Sequence, residues 1–490
     1  KDSVCWLHRL GTDAGADIKM LARGLDASEP IDPIEEPTIS TDPGSEHVVA
    51  RLLGGVRREN PLYTARLAAV VAGKPQWRKV CDVADEVVSF AFRGDDLFLI
   101  TTRDAPNGRV VKTSMERPDF TTARTVVDEG RVVIDHVAAA KDALYVADVE
   151  GGYGAVRRLG RDGALAPVAL PFQGSILALT TETTRDGALL TIAGWLRPPS
   201  VWSYRPDGGI QETGLSSRPR INLSPYEAMR VFAEATDGTR IPVSIVAKKG
   251  LKHDGSHPAI VTAYGAYQEV SRPVFDARSI AFLEQGGVLA TAHVRGGGEY
   301  GKAWWQAGQK LTKPNTWRDL IASCEYLIRE GWTSQPRLAI VGESAGGIAV
   351  GMALTERPDL FSVVIGKVGT YNMLRSEFGH SGPSNVAEFG SMADEDGFRG
   401  LRAMDAYHAV RDGVPYPAVL LTAGMTDSRV SPWEAAKMAA RLQRATGSSN
   451  PVLLRVAFDE GHGLGSTKSQ LDSEAADVYA FVLWRTRAPG

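Results

Sequence analysis

Cysteine is scarce in this chain of 490 residues, with Cys5, Cys81 and Cys324 its only three. None stands close enough to another to suggest a chelating motif, and an odd number closes no disulfide framework. Buried free thiols are the expectation. Cys324 illustrates it: in RDLIASCEYLIREG, residues 318–331, Leu320, Ile321, Cys324, Leu327 and Ile328 recur at helical spacing, which assigns the thiol to core packing. An excess of one charge is also missing. Lys and Arg number 55 against 58 Asp and Glu, a net charge of -3, so no nucleic-acid or membrane partner is implied. Long apolar runs are absent as well. PAVLLTAG and GGVLATAHV are strand length, far short of a bilayer span. The chain opens on KDSVCWLHRLG, with no initiator Met and no apolar targeting segment. The expectation is that something upstream has been removed. That makes a companion N-terminal fragment a candidate partner, and it leaves a periplasmic location open beside the cytoplasmic one otherwise expected.

What is present divides into two grammars, and a chain of this length exceeds one core. Residues 1–216 carry short alternating runs bounded by turn residues, such as DDLFLITT, DALYVADV and DGALLTIAG, with almost no helical period. Turn-plus-strand units begin at Gly44, Gly94, Lys141 and Asp186, in steps of 50, 47 and 45 residues. That period suits β-propeller blades. About four can be counted, so an N-terminal all-β propeller domain is expected over 1–216, apparently incomplete because a ring must close to hide its edges. Residues 217–490 alternate strands with amphipathic helices, which predicts a mostly parallel sheet with helices on both faces. Strands are expected at PAIVTAY, GGVLATAHV, RLAIVG, FSVVIGKVG, PAVLLTAG and PVLLRVAF, and helices near 316–330, 345–356, 432–446 and 468–486.

Within that second half, RLAIVG runs through G-E-S-A-G, Gly342–Gly346, into the helical AGGIAVGMAL. A serine between a strand and a helix, flanked by residues without bulk, is the context of a nucleophile elbow in an α/β hydrolase. A capping serine in a small-residue turn is the plainer alternative. The catalytic reading requires a base and an acid in chain order Ser, Asp or Glu, His. Only His380, His408 and His462 follow Ser344, and of these only His462 lies in a glycine-flanked loop after a strand, DEGHGLG. For the acid, Asp427 falls where PAVLLTAG ends, at the carboxyl edge of the sheet where ligands of open α/β sheets bind. Asp459, three residues before His462, is the rival, and would have to fold back on its own loop. The expected chemistry is acyl transfer: Ser344 attacks a carbonyl, His462 moves the proton and Asp427 orients the imidazole. The backbone N–H of Ala345 is one oxyanion donor. Neither metal nor cofactor is called for.

DGSHPAIVTAYGAY, VRGGGEYGKAW, ERPDLFSVVIGKVG, TDSRVSP and EGHGLG follow one another in an order that resembles the prolyl oligopeptidase family of serine peptidases. LHRLGTD near the start is similar to the later part of that family's propeller. The resemblance implies a serine-type oligopeptidase acting on short or size-restricted peptides, with the family's N-terminal part missing. It also implies that Tyr264 supplies the second oxyanion donor and that Arg429 binds a substrate carbonyl on the acyl side of the cut. Without the resemblance, Tyr264 is a strand-end aromatic and Arg429 a surface charge. One departure stands out. GPSNVAEFG puts Asn385 where the family carries a tryptophan that stacks on proline, with Phe389 in the following aromatic position. Tyr267, Phe389 and Val430 are left to line an apolar pocket, and strict proline preference is not expected. Lasso-peptide isopeptidase, acylaminoacyl peptidase and dipeptidyl peptidase activities are the alternatives.

Two rival classes and one decoy remain. An esterase or lipase would keep the triad but gain nothing from a propeller. An inactive binding protein would have no need of Ser344, Asp427, His462 and the elbow glycines together. RGGGEYG satisfies G-x-G-x-x-G through Gly296, Gly298 and Gly301, with Asp319 18 residues beyond the last. A dinucleotide site needs a helix opening at the third glycine. KAWWQAGQKLTKPN is expected to intervene, so the segment reads as a loop near the active site, with Trp304 and Trp305 packing.

Overall fold

The computed structural model describes residues 2–25, 31–216, 221–463 and 465–486. The described residues of 1–194, 199–217 and 300–302 make one compact unit, and those of 195–198, 218–299 and 303–490 the other.

The first unit contains four antiparallel four-stranded sheets, with a two-stranded hairpin, Val4–Leu7 and Ile18–Ala22, ahead of them. Each sheet is a meander in sequence order: Glu35–Ser40 to Arg78–Cys81, Val87–Arg93 to Arg124–Val127, Val133–Ala139 to Leu165–Pro167, and Ser175–Thr180 to Gly209–Glu212. The repeat that begins at Gly44, Gly94, Lys141 and Asp186 marks the second strand of each sheet, His47–Gly54, Asp96–Thr101, Ala143–Glu150 and Ala188–Gly194. These strands lie between neighbours and are buried on both faces for much of their length, so they are the most apolar and the easiest to read. The turns that precede them are linked. Ser45 Oγ donates to Gly94 O (2.9 Å), Arg93 Nη1 to Ala143 O (3.1 Å), Lys141 N to Arg185 O (3.0 Å), and Thr183 Oγ1 to Asp42, which ties the fourth sheet to the first.

The second unit is built on an eight-stranded sheet. Its strands are β1 Tyr226–Glu234, β2 Arg240–Lys248, β3 Ala259–Thr262, β4 Val288–Ala292, β5 Leu338–Glu343, β6 Val363–Lys367, β7 Ala418–Gly424 and β8 Val452–Ala457. Their order is β1-β2-β4-β3-β5-β6-β7-β8. β1 and β2 pair antiparallel, β2 is antiparallel to β4, and every later neighbour is parallel. The last six strands are the six expected. The antiparallel pair was not, because β1, at the sheet edge, carries Glu227, Arg230 and Glu234 among its apolar residues and has no continuous apolar run.

Four long helices match the expected ones: α1 Pro314–Arg329, α2 Gly346–Glu356, α3 Trp433–Ala445 and α4 Lys468–Thr486. α1 buries Trp317, Leu320, Cys324 and Leu327 against the strands, and burial drives the Cys324 thiol well above its ordinary range. Cys81 is likewise buried, whereas Cys5 is only half-buried. α2 buries ten consecutive residues, Gly346 to Thr355, so it has apolar surroundings on every side. The short helices between β6 and β7, such as Val386–Phe389 and Glu395–Ala403, escape the periodicity because they are only one to three turns long. Among the described residues no helix is long and apolar enough to cross a membrane.

Ile340 in β5 is fully buried and Leu453 in β8 is 44% exposed. Ile340→Ala is expected to cost about 2–5 kcal/mol of unfolding free energy. Leu453→Ala should cost less than about 1 kcal/mol. Denaturant titration of the two variants against the parent chain checks both values.

Candidate active site

Ser344 sits between β5 and α2 with φ at +55°, in the left-handed region that costs a residue with a Cβ about 1–3 kcal/mol. Packing and hydrogen bonds hold it there. Its N–H donates to Lys367 O (2.9 Å), and its carbonyl accepts from Thr370 N (3.1 Å) and Gly347 N (2.9 Å). The turn closes only because two backbones can touch. A Cβ on Gly342 would stand 2.2 Å from Gly346 O, and one on Gly347 would stand 2.7 Å from Gly369 Cα.

At the end of β7, Asp427 turns back into the unit and is 8% exposed. Its Oδ1 accepts the N–H groups of Arg429 (2.8 Å) and Val430 (2.9 Å), and its Oδ2 lies 2.6 Å from His462 Nδ1. On the far side of the ring, His462 Nε2 lies 2.9 Å from Ser344 Oγ. Burial pushes the Asp427 carboxyl up, but the bond to His462 and the two backbone N–H groups outweigh it, and the carboxyl stays below its usual range. An ionised Asp427 accepts a hydrogen bond from the Nδ1–H of His462, which leaves the Nε2 lone pair facing the serine hydroxyl. The other candidates stand apart. Asp459 accepts a bond from Gln470 (3.4 Å), His408 is paired with Asp405 (2.9 Å), and His380 is exposed.

Tyr264 lies beside the elbow, its ring 3.6 Å from where a Cβ on Gly346 would stand. Burial, aided by the charge of Glu269, pushes this phenol up to about 12, so at neutral pH it is an O–H donor. Among the described residues no protein acceptor takes the Ala345 N–H, which leaves it available beside Ser344. Arg429 is exposed, forms no ion pair with a described residue, and is close enough to act on both Tyr264 and Tyr267.

Tyr267 and Asn385 are joined: the tyrosine hydroxyl donates to Asn385 Oδ1 (2.9 Å), and Asn385 Nδ2 donates to Ser381 O (2.9 Å). Phe389 is only 5% exposed and meets the Tyr267 ring edge to face at 5.4 Å, so it supports that ring more than it offers a face of its own. Val430 is half-buried beside Arg429.

The glycine loop differs in one respect from expectation. A six-residue helix, Gly301–Gln306, does open at the third glycine. The nucleotide reading is not rescued, because the groups it needs are occupied. Asp319 is buried and accepts from Arg295 Nη2 (2.7 Å) and Nε (3.0 Å), and a Cβ on Gly296 would meet Gly265 O at 2.1 Å. The glycine admits the backbone next to Tyr264 in place of a phosphate. Two residues that sequence reasoning passed over, Lys313 and Glu388, contact the same loop, and Trp305, read as packing, also donates to Glu388 (2.8 Å). An acid set between apolar residues, as in NVAEFG, is the signal the sequence offered for Glu388.

Comparison with known proteins adds an independent line. The family model "Prolyl oligopeptidase family" matches residues 273–487, and "Prolyl oligopeptidase, N-terminal beta-propeller domain" matches 3–213. The prolyl endopeptidase of Elizabethkingia meningoseptica is 33% identical over 393 residues, 80% of this chain and 56% of that protein. Prolyl oligopeptidase A of Amanita bisporigera is 27% identical over 495 residues, 98% of this chain and 64% of that protein. The chain therefore spans between half and two thirds of the length of these relatives. A prolyl endopeptidase structure from a study of inter-domain dynamics in catalysis and specificity superimposes with a TM-score of 0.90 at 28% identity, over 99% of this chain and 70% of that one.

Two glycine variants separate the elbow from its surroundings. Gly342→Ala places a methyl 2.2 Å from a backbone oxygen, whereas a Cβ on Gly461, beside His462, has nothing nearer than 3.7 Å. Gly342→Ala should lower stability by more than about 2 kcal/mol and abolish labelling of Ser344 by a fluorophosphonate. Gly461→Ala should label like the parent chain.

Proposed function

This chain belongs to the prolyl oligopeptidase family, and on that footing we propose that it is a serine peptidase that hydrolyses amide bonds in short peptides through an acyl-enzyme on Ser344. The observation that carries the proposal is the unbroken chain of contacts from Asp427 Oδ2 to His462 Nδ1 (2.6 Å) and from His462 Nε2 to Ser344 Oγ (2.9 Å).

In this reading His462 Nε2 takes the hydroxyl proton as Ser344 Oγ attacks the scissile carbonyl. The carbonyl oxygen gains the negative charge, and the Tyr264 hydroxyl and the Ala345 N–H donate to it. The imidazolium is stabilised by the Asp427 carboxylate and gives its proton to the leaving amine, so the C–N bond breaks and an ester to Ser344 remains. Water, deprotonated by the same imidazole, then attacks the ester and returns the serine. Arg429, exposed and in no ion pair with a described residue, supplies the planar donor fork suited to a carbonyl on the acyl side of the cut.

The acyl pocket is read as Tyr267, Asn385, Phe389 and Val430. Its wall departs from a stacking surface, because the Asn385 amide is engaged on both sides, by the Tyr267 hydroxyl and by Ser381 O (each 2.9 Å). An aromatic contact is worth about 0.5–1.5 kcal/mol. Its loss predicts a preference for proline over alanine before the cut about 2- to 13-fold lower than that of an Asn385→Trp variant that restores the ring, an inference from the pocket that concerns selectivity and leaves the chemistry unchanged.

The test is a set of short peptides differing at the residue before the cut, with one threaded peptide included. Ser344→Ala should remove turnover while the melting temperature holds. Turnover near the parent level would mean that another group is the nucleophile. Arg429→Ala should lower kcat/KM about 10- to 100-fold on peptides but little on small esters, which lack the extended acyl chain. Equal losses on both would contradict its assignment.

A further inference from the structure

The loop that carries Tyr264 is strained. Tyr267 and Gln268, three and four residues on, both have positive φ, at 58° and 57°. Side chains pay about 1–3 kcal/mol each for such a backbone and keep it only where surrounding contacts enforce it. Two buried charges supply those contacts. Lys313, just ahead of α1, is 0% exposed and its Nζ donates to Gly265 O, the carbonyl next to Tyr264. Glu388, 1% exposed, spends its carboxylate on two donors: Oε1 accepts the Tyr267 N–H (2.9 Å) and Oε2 accepts Trp305 Nε1 (2.8 Å).

Neither residue has a place in the acyl-transfer chemistry, and neither charge is cheap to bury. An isolated ammonium or carboxylate in such a site pays a desolvation cost that only good geometry and further bonds offset. Burial lowers the Lys313 ammonium to about 8, and the negative charge of Glu388 opposes that fall. Apolar residues of similar volume would fill the space without this cost, but would leave Gly265 O and the Tyr267 N–H without these partners. The pair therefore does something packing cannot: it grips the backbone on both sides of the segment between Gly265 and Tyr267. An oxyanion donor acts only when held close to the position the charged oxygen will occupy. We propose that Lys313 and Glu388 are positioning residues, a buried brace that holds the Tyr264 hydroxyl at the oxyanion site through Gly265 O and the Tyr267 N–H. The proposal rests on the reading of Ser344 as nucleophile and Tyr264 as oxyanion donor.

A double-mutant cycle tests it. Lys313→Met keeps the length of the side chain and removes the donor. In the parent background it should lower kcat on a short peptide about 10- to 100-fold, with KM changed less than about threefold. In a Tyr264→Phe background, where there is no hydroxyl to position, the further loss should shrink to less than about threefold. Glu388→Gln, which keeps an acceptor for the Tyr267 N–H but removes the charge facing Lys313, should give a smaller loss with the same dependence on Tyr264. It decides the matter if Lys313→Met does not fold. Losses of equal factor in both backgrounds, or an unchanged kcat in a folded Lys313→Met chain, overturn the brace. If Ser344→Ala is inactive and the parent chain labels with a fluorophosphonate, that failure belongs to the brace alone. A Tyr264→Phe chain with parent kcat removes the oxyanion assignment and the brace with it.

Discussion

The site depends on a steric constraint: three backbone segments must approach within contact distance around Ser344. β5 must turn into α2 at Gly342 and Gly346, and α2 must pass Gly369 at Gly347, before the serine can take its left-handed backbone. Hydrogen bonds to Lys367 O and from Thr370 N then hold the turn in place. The strain is kept because α2 is buried on all sides and has nowhere to relax. A serine so held presents its hydroxyl to the carboxyl edge of the sheet, where the loops after β7 and β8 also arrive. The parallel sheet brings Ser344, Asp427 and His462 together by ending three of its strands on one edge.

Charge is managed by the same economy of contacts. Asp427 is buried yet stays ionised, since two backbone N–H groups and His462 satisfy its oxygens. Tyr264 is buried and stays neutral, since its phenol is pushed up to about 12. One group must carry charge and the other a proton for the proposed chemistry, and in each case burial and the partners within reach set the state. The loop after Tyr264 repeats the pattern with Lys313 and Glu388, whose buried charges grip backbone atoms. The opposing demands on one small region account for its density of glycine: Gly265, Gly296, Gly342 and Gly347 are places where a second backbone or a side chain leaves no room for a Cβ.

Much of this was legible in the residues. The six parallel strands and four long helices declared themselves because each strand carries an apolar run of strand length bounded by turn residues, and each helix is long enough to stand apart from them. Ser344, Asp427 and His462 could be chosen by chain order and by their places at strand ends, although they span 119 positions. What escaped notice has physical reasons. β1, at the sheet edge, carries polar residues among its apolar ones, and β2, although buried from Ile241 to Ala247, is interrupted by Pro242, which reads against a strand. The short helices between β6 and β7 are held by tertiary contacts such as Glu377 with Met392 N (2.7 Å) and have too few turns to show a period. The helix at Gly301 was missed for the same reason.

By itself, then, the sequence determined the two grammars of the chain, the order of the six parallel strands and four long helices in its second half, and the choice of Ser344, Asp427 and His462 as the residues to look for together, because each is written in local residue type and spacing. Tertiary structure alone decided that the imidazole of His462 lies between Asp427 and Ser344, that Asn385 is tied to Tyr267, and that Lys313 and Glu388 close on the loop after Tyr264. Those contacts join residues between 35 and 121 positions apart. Their geometry follows from how the sheet stacks its loops at one edge, which no local pattern encodes.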